Sequence, residues 1–557
     1  NDPVPDPPAP GPRAPGSLVS HSNPSIMNRS LLAGSLLSAV FCSSPAGGPA
    51  AAAPEPQAAR PALLVFITVD QLREDYLDRW RSQFTGGLKR LVEGGAFFTN
   101  AHQDFAITET APGHASTMSG RFPRSTGITR NVAGVNDRDS PLIGSSDIGA
   151  SPMRFRGTTL TDWLVAANPA TKVLSVSAKD RGAILPIGRS RQQVYWMPFT
   201  GPGMITTSTW YADTLPDWVK AFNARRIPQM SAGRLWTLLL PDSAYPEPDS
   251  VVAESRGVAV VFPHPNSPDT AAASNLFRAF PWSDDYLADF ALEGVERLGL
   301  GRGAETDLLA VSFSATDYIG HRYGPDSREI HDQILRLDRA LGRFIDSLYA
   351  LRDSTRIIFA LTGDHGVTPF PEVNSEHASP PPTRVDVAPA VDAAIEVLRR
   401  AKADTNAADL ESGALFIERR PGITPALVNA AADSFVAVAR RTPGVLRADR
   451  FRDFARMDLG KDSFARRWVH MFPPDMPVEA TVTLVPGNYW ARYPVALHGT
   501  PSDFDTHVPI IFYGAPFRAG RDSTFVRTAD IAPTLAQVLG VVPSEPLDGK
   551  PLKGAIR

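Results

Sequence analysis

Apolar runs the length of a buried strand recur along this chain, and the clearest of them run into carboxylates or cations. LLVFITV ends at Asp70, DLLAVSF lies just before Asp317, RIIFALT reaches Gly363 and then Asp364 and His365, and KVLSVSA leads to Lys179 and Arg181. Continuous apolar runs of this length, bounded by turn residues, read as strands covered on both faces, as in parallel sheets. Between them the period becomes helical. Ile330, Ile334, Leu337, Leu341, Phe344, Ile345 and Leu348 recur at helical spacing from about Ser327 to Leu351, and IAPTLAQVLG follows the strand-like VPIIFYG near the C-terminus. The alternation predicts an α/β fold with a mostly parallel central sheet between helical layers, in which ligands gather beyond the carboxyl ends of the strands.

Two stretches break the alternation. Residues near 185–290 carry Trp196, Trp210, Trp218, Trp236 and Trp282 among Pro and Ser, which reads as ordinary packing of an insert or as a roof over a site. Residues 372–490 hold the helix-like VDAAIEVLRRA and PALVNAAADSFVAVARR around the strand-like GALFIE, a small inserted α+β cap. The core is therefore expected over 61–371 and 491–557. Residues 1–60 read differently. A Pro-rich start precedes Met27, after which come a basic residue, a short apolar run and an Ala/Pro stretch, the layout of a secretory signal. Met27 reads as the true start, and Phe41 is too bulky to precede a lipid-bearing Cys42. A disordered low-complexity tail is the alternative. The mature protein is then expected to lack residues 1–60 and to be periplasmic or secreted. No other run is long enough to span a membrane.

The candidate chemistry lies at the strand ends. Asp317 and His321 are four residues apart in TDYIGH, so one helical turn or a tight loop aims both at one ion, and His498 in LHG adds another imidazole far downstream. With Asp70, Asp364 and His365 these make six side chains of zinc-ligand chemistry. Thr110 opens TAPGHASTMSG, with Pro112 near a first helical position and Gly120 at the end, so its hydroxyl is expected at a helix N-terminus. Free N–H groups and the helix dipole there favour a phosphoryl oxygen. Thr110 is then a metal-activated nucleophile or only a cap. Asn131, in a loop after that helix, offers an amide donor, and Lys179 with Arg181 offers an ammonium and a forked guanidinium suited to a terminal phosphate.

Each piece also has a plain reading: Asp70 as a cap, TGDHG as a turn, KDR as a solvated turn. The conjunction of all of them at strand exits points to two-metal phosphoryl transfer. Among the other histidines, His102 and His114 show no acidic partner in register and His377 lies in a Ser/Pro-rich loop. His507, in THVPIIFYG, rivals His498 as the last ligand.

Through VDQLREDYL, TAPGHASTMSG, SAKDRG, TDYIGHRYGPDS, TGDHGV, LHGTPSDFDTHVPIIFYG, TADIAPTLAQVLGVVP and LDGKPL, residues 60 to 550 resemble the alkaline phosphatase superfamily. The resemblance is strongest to its phosphate-irrepressible, PafA-type alkaline phosphatases, relatives of the nucleotide pyrophosphatase/phosphodiesterases. It implies an alkaline-phosphatase-like three-layer sandwich and two Zn2+ ions. One ion would be held by Asp317, His321 and His498 and the other by Asp70, Asp364 and His365 beside Thr110, with His498 favoured over His507. It also implies that Asn131, Lys179 and Arg181 hold the phosphoryl oxygens and that Thr110 forms a phosphothreonine intermediate. A Lys/Arg pair suits the third charged oxygen of a monoester, so a phosphomonoesterase is expected, with a diesterase as the alternative.

Composition narrows this further. With 557 residues, 43% of them apolar, the chain is able to bury a large core. A net charge of −3 and the lack of any Lys/Arg run or stacking motif exclude a nucleic-acid surface. One cysteine makes no internal disulfide. The implied partners are small-molecule phosphate monoesters, and a monomer is expected. A non-enzymatic phosphate- or metal-binding protein is disfavoured by the intact Thr110 and ligand set. A sulfatase is disfavoured by the lack of a Cys/Ser-x-Pro-x-Arg motif, and a phosphoglycerate mutase-like enzyme by threonine in place of serine and by the signal.

Overall fold

Nine strands form the central sheet of the computed structural model, which describes residues 60–557 apart from 133, 201–202, 375–379 and 492–494. In chain order they are β1 (Leu63–Val69), β2 (Ala96–His102), β3 (Val173–Ser177), β4 (Gln193–Trp196), β5 (Asp307–Phe313), β6 (Ile357–Gly363), β7 (His507–Tyr513), β8 (Gly520–Asp522) and β9 (Val526–Arg527). Their spatial order is β8-β2-β7-β6-β1-β5-β3-β4, with β9 also on β2. Only β7 runs antiparallel to its neighbours β2 and β6. The leader-like segment, Cys42 and His377 lie outside the described residues.

Register decides where the chemistry falls. Val69 pairs with Phe313 on one side and Gly363 on the other, so β1, β5 and β6 end level. Ser177 of β3 pairs with Ser312, which brings Lys179 to the same edge. The apolar alternation of β1 supplies both faces: Leu63, Val65, Ile67 and Val69 pack in one core, and Leu64 and Phe66 in the other. Four helices matter for the site: α1 (Thr110–Ser119), α2 (Asp180–Ile184), α3 (Ala315–Tyr323) and α4 (Arg328–Leu351). The helical period seen in the sequence over Ile330–Leu348 is the buried stripe of α4, whose Ser327 cap accepts the Ile330 N–H at 3.2 Å.

The two inserts differ. Between 384 and 490 a four-stranded antiparallel sheet packs with helices Ala388–Arg400 and Pro425–Ala439 around its own apolar core. Four of the five tryptophans of the earlier stretch are packing residues. Trp196 closes β4, Trp218 stacks on Phe290 at 4.9 Å and Trp282 on Phe280 at 4.5 Å, and the buried Trp236 indole donates to Asp332 at 2.7 Å. No helix among the described residues is long and apolar enough to cross a membrane.

Leu341 on α4 is fully buried, whereas Arg343 two residues on forms an exposed ion pair with Asp285. Leu341→Ala is expected to cost about 2–5 kcal/mol and Arg343→Ala about 0–1 kcal/mol in denaturant unfolding. Equal effects of the two would place α4 wrongly.

Candidate active site

Level strand ends alone would scatter these carboxylates over loops, so the local geometry of each element matters. Asp70 follows β1 directly, and its N–H bonds Phe313 O at 2.9 Å, which continues the ladder by one residue. Asp317 stands in the first turn of α3 and His321 one turn later, 3.2 Å from it. Asp364 and His365 leave β6 in the loop. His498 comes from the loop ahead of β7, with Nε2 3.6 Å from Asp317 Oδ1. Asp70, Asp317, Asp364 and His365 are buried, as is Thr110.

The three imidazoles share one orientation. His321, His365 and His498 each bond a backbone carbonyl through Nδ1, to Ala496 O at 2.7 Å, Gly366 O at 2.9 Å and Thr108 O at 2.7 Å. Each therefore carries a proton on Nδ1 and turns Nε2 toward the carboxylates, the orientation of a histidine prepared to bind a metal. His507 behaves otherwise. Its Nε2 is spent on Thr99 O at 2.7 Å, and its ring stacks on His102 at 4.7 Å, at the far end of β7's pairing with β2.

The carboxylates lack the donors that buried acids need. Oδ1 of Asp70 is buried without a hydrogen-bond donor among the described residues, and its Oδ2 has only the Lys179 ammonium at 2.8 Å. Burial, together with the charges of Asp317 and Asp364, pushes the Asp70 carboxyl well above its usual range despite Lys179. Burial raises Asp317 too, but His321 and Lys179 outweigh it and hold that carboxyl far below the usual range. The His365 imidazole falls to about 3 through burial, so it is a neutral donor at working pH. Buried acid oxygens facing inward-turned imidazole Nε2 atoms fit divalent cations. Two groups of ligand atoms lie within 4.8 Å of one another: Asp317 with His321 and His498, and Asp70 with Asp317 and His365. Asp317 stands in both. Asp364 is turned partly away, since its Oδ2 is 3.2 Å from His114 Nδ1 and 3.6 Å from His365 Nε2.

Thr110 is the first residue of α1, and the extended Glu109 holds the cap position. The helix start offers fewer free donors than its sequence implies. Ala111 N–H is taken by Asn131 Oδ1 at 2.8 Å, Pro112 has none, and Gly113 N–H bonds Glu109 O at 3.0 Å. Thr110 Oγ1 lies 3.4 Å from both His365 Nε2 and Lys179 Nζ. Lys179 caps α2, and its ammonium reaches between Asp70 at 2.8 Å and Asp317 at 2.5 Å. Arg181 is buried in the first turn of α2. Asn131 turns its side-chain oxygen to α1, which leaves its amide N–H groups as the remaining donors.

Two residues at this site were not singled out in the sequence. Gln71 adopts φ 69°, donates its backbone N–H to Asp364 at 3.0 Å and its side-chain amide to Asp317 at 2.9 Å, and so ties the two acids together. His114, for which sequence register offered no acid, has one through space: Asp364 lies across α1. It also bonds Thr110 O and Ser312 Oγ, each at 3.0 Å, so both its nitrogens are committed. The spacing of histidines and acids along the chain holds no signal for either. Gly113 makes the approach of α1 possible, because a Cβ there would stand 2.2 Å from Asp364 O.

Alanine is favoured over glycine in a helix by about 1 kcal/mol. Gly113→Ala is nonetheless expected to lower the melting temperature, because α1 must retreat from Asp364. A variant as stable as the parent would refute that close approach.

The chain is similar to known proteins over most of its length. Residues 64–403 match the family model of type I phosphodiesterase / nucleotide pyrophosphatase. The alkaline phosphatase PhoK of Sphingomonas sp is 31% identical over 88% of this chain and 91% of its own length. The alkaline phosphatase PafA of Elizabethkingia meningoseptica is 30% identical over 89% of this chain and 95% of its own. The crystal structure of wild-type alkaline phosphatase PafA superposes with a TM-score of 0.81 at 26% identity, covering 89% of this chain and 99% of that one. The chain thus belongs to the type I phosphodiesterase / nucleotide pyrophosphatase family and is a phosphoesterase of its alkaline phosphatase branch.

Proposed function

We propose that the protein hydrolyses phosphate monoesters with two Zn2+ ions, using Thr110 as the nucleophile and a phosphothreonine intermediate. The observation that carries this reading is a buried threonine hydroxyl 3.4 Å from both a histidine Nε2 and an ammonium, beside buried carboxylate oxygens. His and Asp are zinc's ligand types. Asp317, His321 and His498 would hold one ion, and Asp70, Asp364 and His365, with Thr110, the other. The bound ions would supply positive charge for the phosphoryl oxygens and lower the pKa of the attacking hydroxyls.

The chain's own part follows from its geometry. The Thr110 hydroxyl gives up its proton to solvent, its oxygen attacks phosphorus in line with the departing alkoxide, and the alkoxide takes a proton from solvent to leave as the alcohol. Gln71 and His114 hold the acids so that they do not swing into the phosphoryl position. Asn131 donates its amide to one phosphoryl oxygen, and Lys179 and Arg181 place two cations beside the others. Water then attacks the phosphothreonine from the side the alcohol has left, and releases phosphate and the Thr110 hydroxyl. A monoester presents a third charged oxygen where a diester presents an organic group, so a buried Lys/Arg pair favours the monoester. The leader-like residues 27–59 support export to the periplasm or outside the cell. The family's diesterases supply the second reading.

With zinc loaded, 4-nitrophenyl phosphate is expected to be turned over far better than bis(4-nitrophenyl) phosphate. Thr110→Ala should lose that turnover by on the order of 10³-fold or more. Chelation should abolish it and added Zn2+ restore it. Replacing Lys179 and Arg181 together by Ala should lower monoester kcat/KM by on the order of 10²-fold while sparing the diester. A diester preference in the parent protein would sink the proposal.

A further inference from the structure

One cation near the site is absent from the chemistry above. Arg278 sits in the short turn Phe277–Ala279 of the first insert and is buried, yet no carboxylate pairs with it among the described residues. Its Nη2 donates to Pro198 O and its Nη1 reaches the Tyr318 hydroxyl at 3.5 Å, while Nε finds no acceptor at all. Leaving a buried guanidinium without an anion is costly.

Its surroundings point to what completes it. Tyr318 follows Asp317 in the chain, and its ring lies under two cations: Lys179 Nζ stands 5.2 Å from the ring centre and Arg278 Cζ 5.8 Å. Arg278 also lies 5.1 Å over the ring of Phe199, which is 43% exposed. An apolar side chain left that open has little packing to hold in place. Phe199, Arg278 and Tyr318 thus form a wall of two rings and a guanidinium, one residue from Asp317. In the proposed reaction Asp317, His321 and His498 would hold the ion that does not sit with Thr110, and in-line attack by Thr110 sends the departing alcohol to that side, so this wall borders that alcohol.

We infer that Arg278 binds a second anionic group, a carboxylate or another phosphate, carried by the alcohol part of the ester, with Tyr318 and Phe199 flanking it. The assignment rests on the monoesterase reading and adds a substrate class to it: phosphate esters with a negative charge beyond the transferred phosphoryl group. The ordinary role for Arg278 would be to pin the insert by its bond to Pro198. That role uses one nitrogen, and a neutral donor would serve it equally well.

The test compares zinc-loaded parent, Arg278→Met and Arg278→Lys on 4-carboxyphenyl phosphate and 4-carbamoylphenyl phosphate. The two esters differ in charge at one position, and their intrinsic reactivity cancels when the kcat/KM ratio of one protein is divided by that of another. The ratio of carboxylated to carbamoyl ester is expected to fall about tenfold in Arg278→Met, the loss of one charge-assisted contact, and to be partly kept in Arg278→Lys. An unchanged ratio in Arg278→Met, including one in which both esters lose equally, overturns the assignment. Were the methionine variant not to fold, the parent decides: 4-hydroxybenzoate should inhibit it more strongly than 4-hydroxybenzamide, and equal inhibition overturns the assignment. Failure of the parent to hydrolyse either ester would instead overturn the monoesterase reading, an outcome separate from an unchanged ratio.

Discussion

Three aspartates buried at one edge of a sheet repel one another, and the site is arranged around that repulsion. Asp70, Asp317 and Asp364 reach this edge because β1, β5 and β6 end level, at Val69, Phe313 and Gly363. Burying an uncompensated charge costs about 3–5 kcal/mol, and Lys179 is one ammonium shared between two of the three acids. Donor hydrogen bonds come from Gln71 to Asp317 and Asp364, yet Asp70 has only the shared ammonium, and its Oδ1 has no donor among the described residues. The histidines turn Nε2 inward, since backbone carbonyls hold Nδ1 of His321, His365 and His498. A set of buried acids faced by imidazole nitrogens is electrically incomplete without cations. The same incompleteness supplies the driving force for binding them.

The parts of this site that follow from strand periodicity were legible in the chain. A buried strand announces itself by an apolar run, and the first polar residue after the run falls at the sheet edge, so Asp70, Lys179 and Asp364 were readable from LLVFITV, KVLSVSA and RIIFALT. The spacing of Asp317 and His321 was readable because both stand on one helix. What was hidden depends on contacts across space. His114 finds Asp364 only because Gly113 lets α1 touch the loop after β6, and Gln71 reaches two acids only from a left-handed backbone that its residue type does not advertise. The donors at the start of α1 were overestimated from sequence for a similar reason, since Asn131 lies close enough to take the Ala111 N–H. The distinction between His498 and His507 lies in the partners of their ring nitrogens, which no pattern along the chain records.

The inserts reach the site by routes that periodicity does not describe. In the cap, the tight turn at Ser412 and Gly413 joins strands Ala408–Glu411 and Ala414–Ile417 and places the Ser412 hydroxyl 3.2 Å from Glu109, while Glu411 pairs with Arg130. Glu109 in turn accepts the Asn131 backbone N–H at 2.6 Å. The cap thus grips the residues on both sides of Asn131's loop and the start of α1. The earlier insert reaches Tyr318, beside Asp317, through Arg278, with Phe199 against it.

This division has a physical rationale. Strand ends are held by ladders of hydrogen bonds in a sheet covered on both faces, so groups that must keep fixed distances are best carried there. Loops and inserts tolerate change because few core contacts depend on them. The acids, Lys179 and the start of α1 are therefore tied to the sheet edge, while the groups that touch the variable part of a substrate come from the inserts. Tyr318 joins the two systems. It is the neighbour of Asp317 on α3, fixed by the helix that positions that acid, and its ring and hydroxyl meet the guanidinium that the insert contributes. A change of insert can then alter the alcohol side of the site without shifting the register of β1, β5 and β6 on which the carboxylates depend.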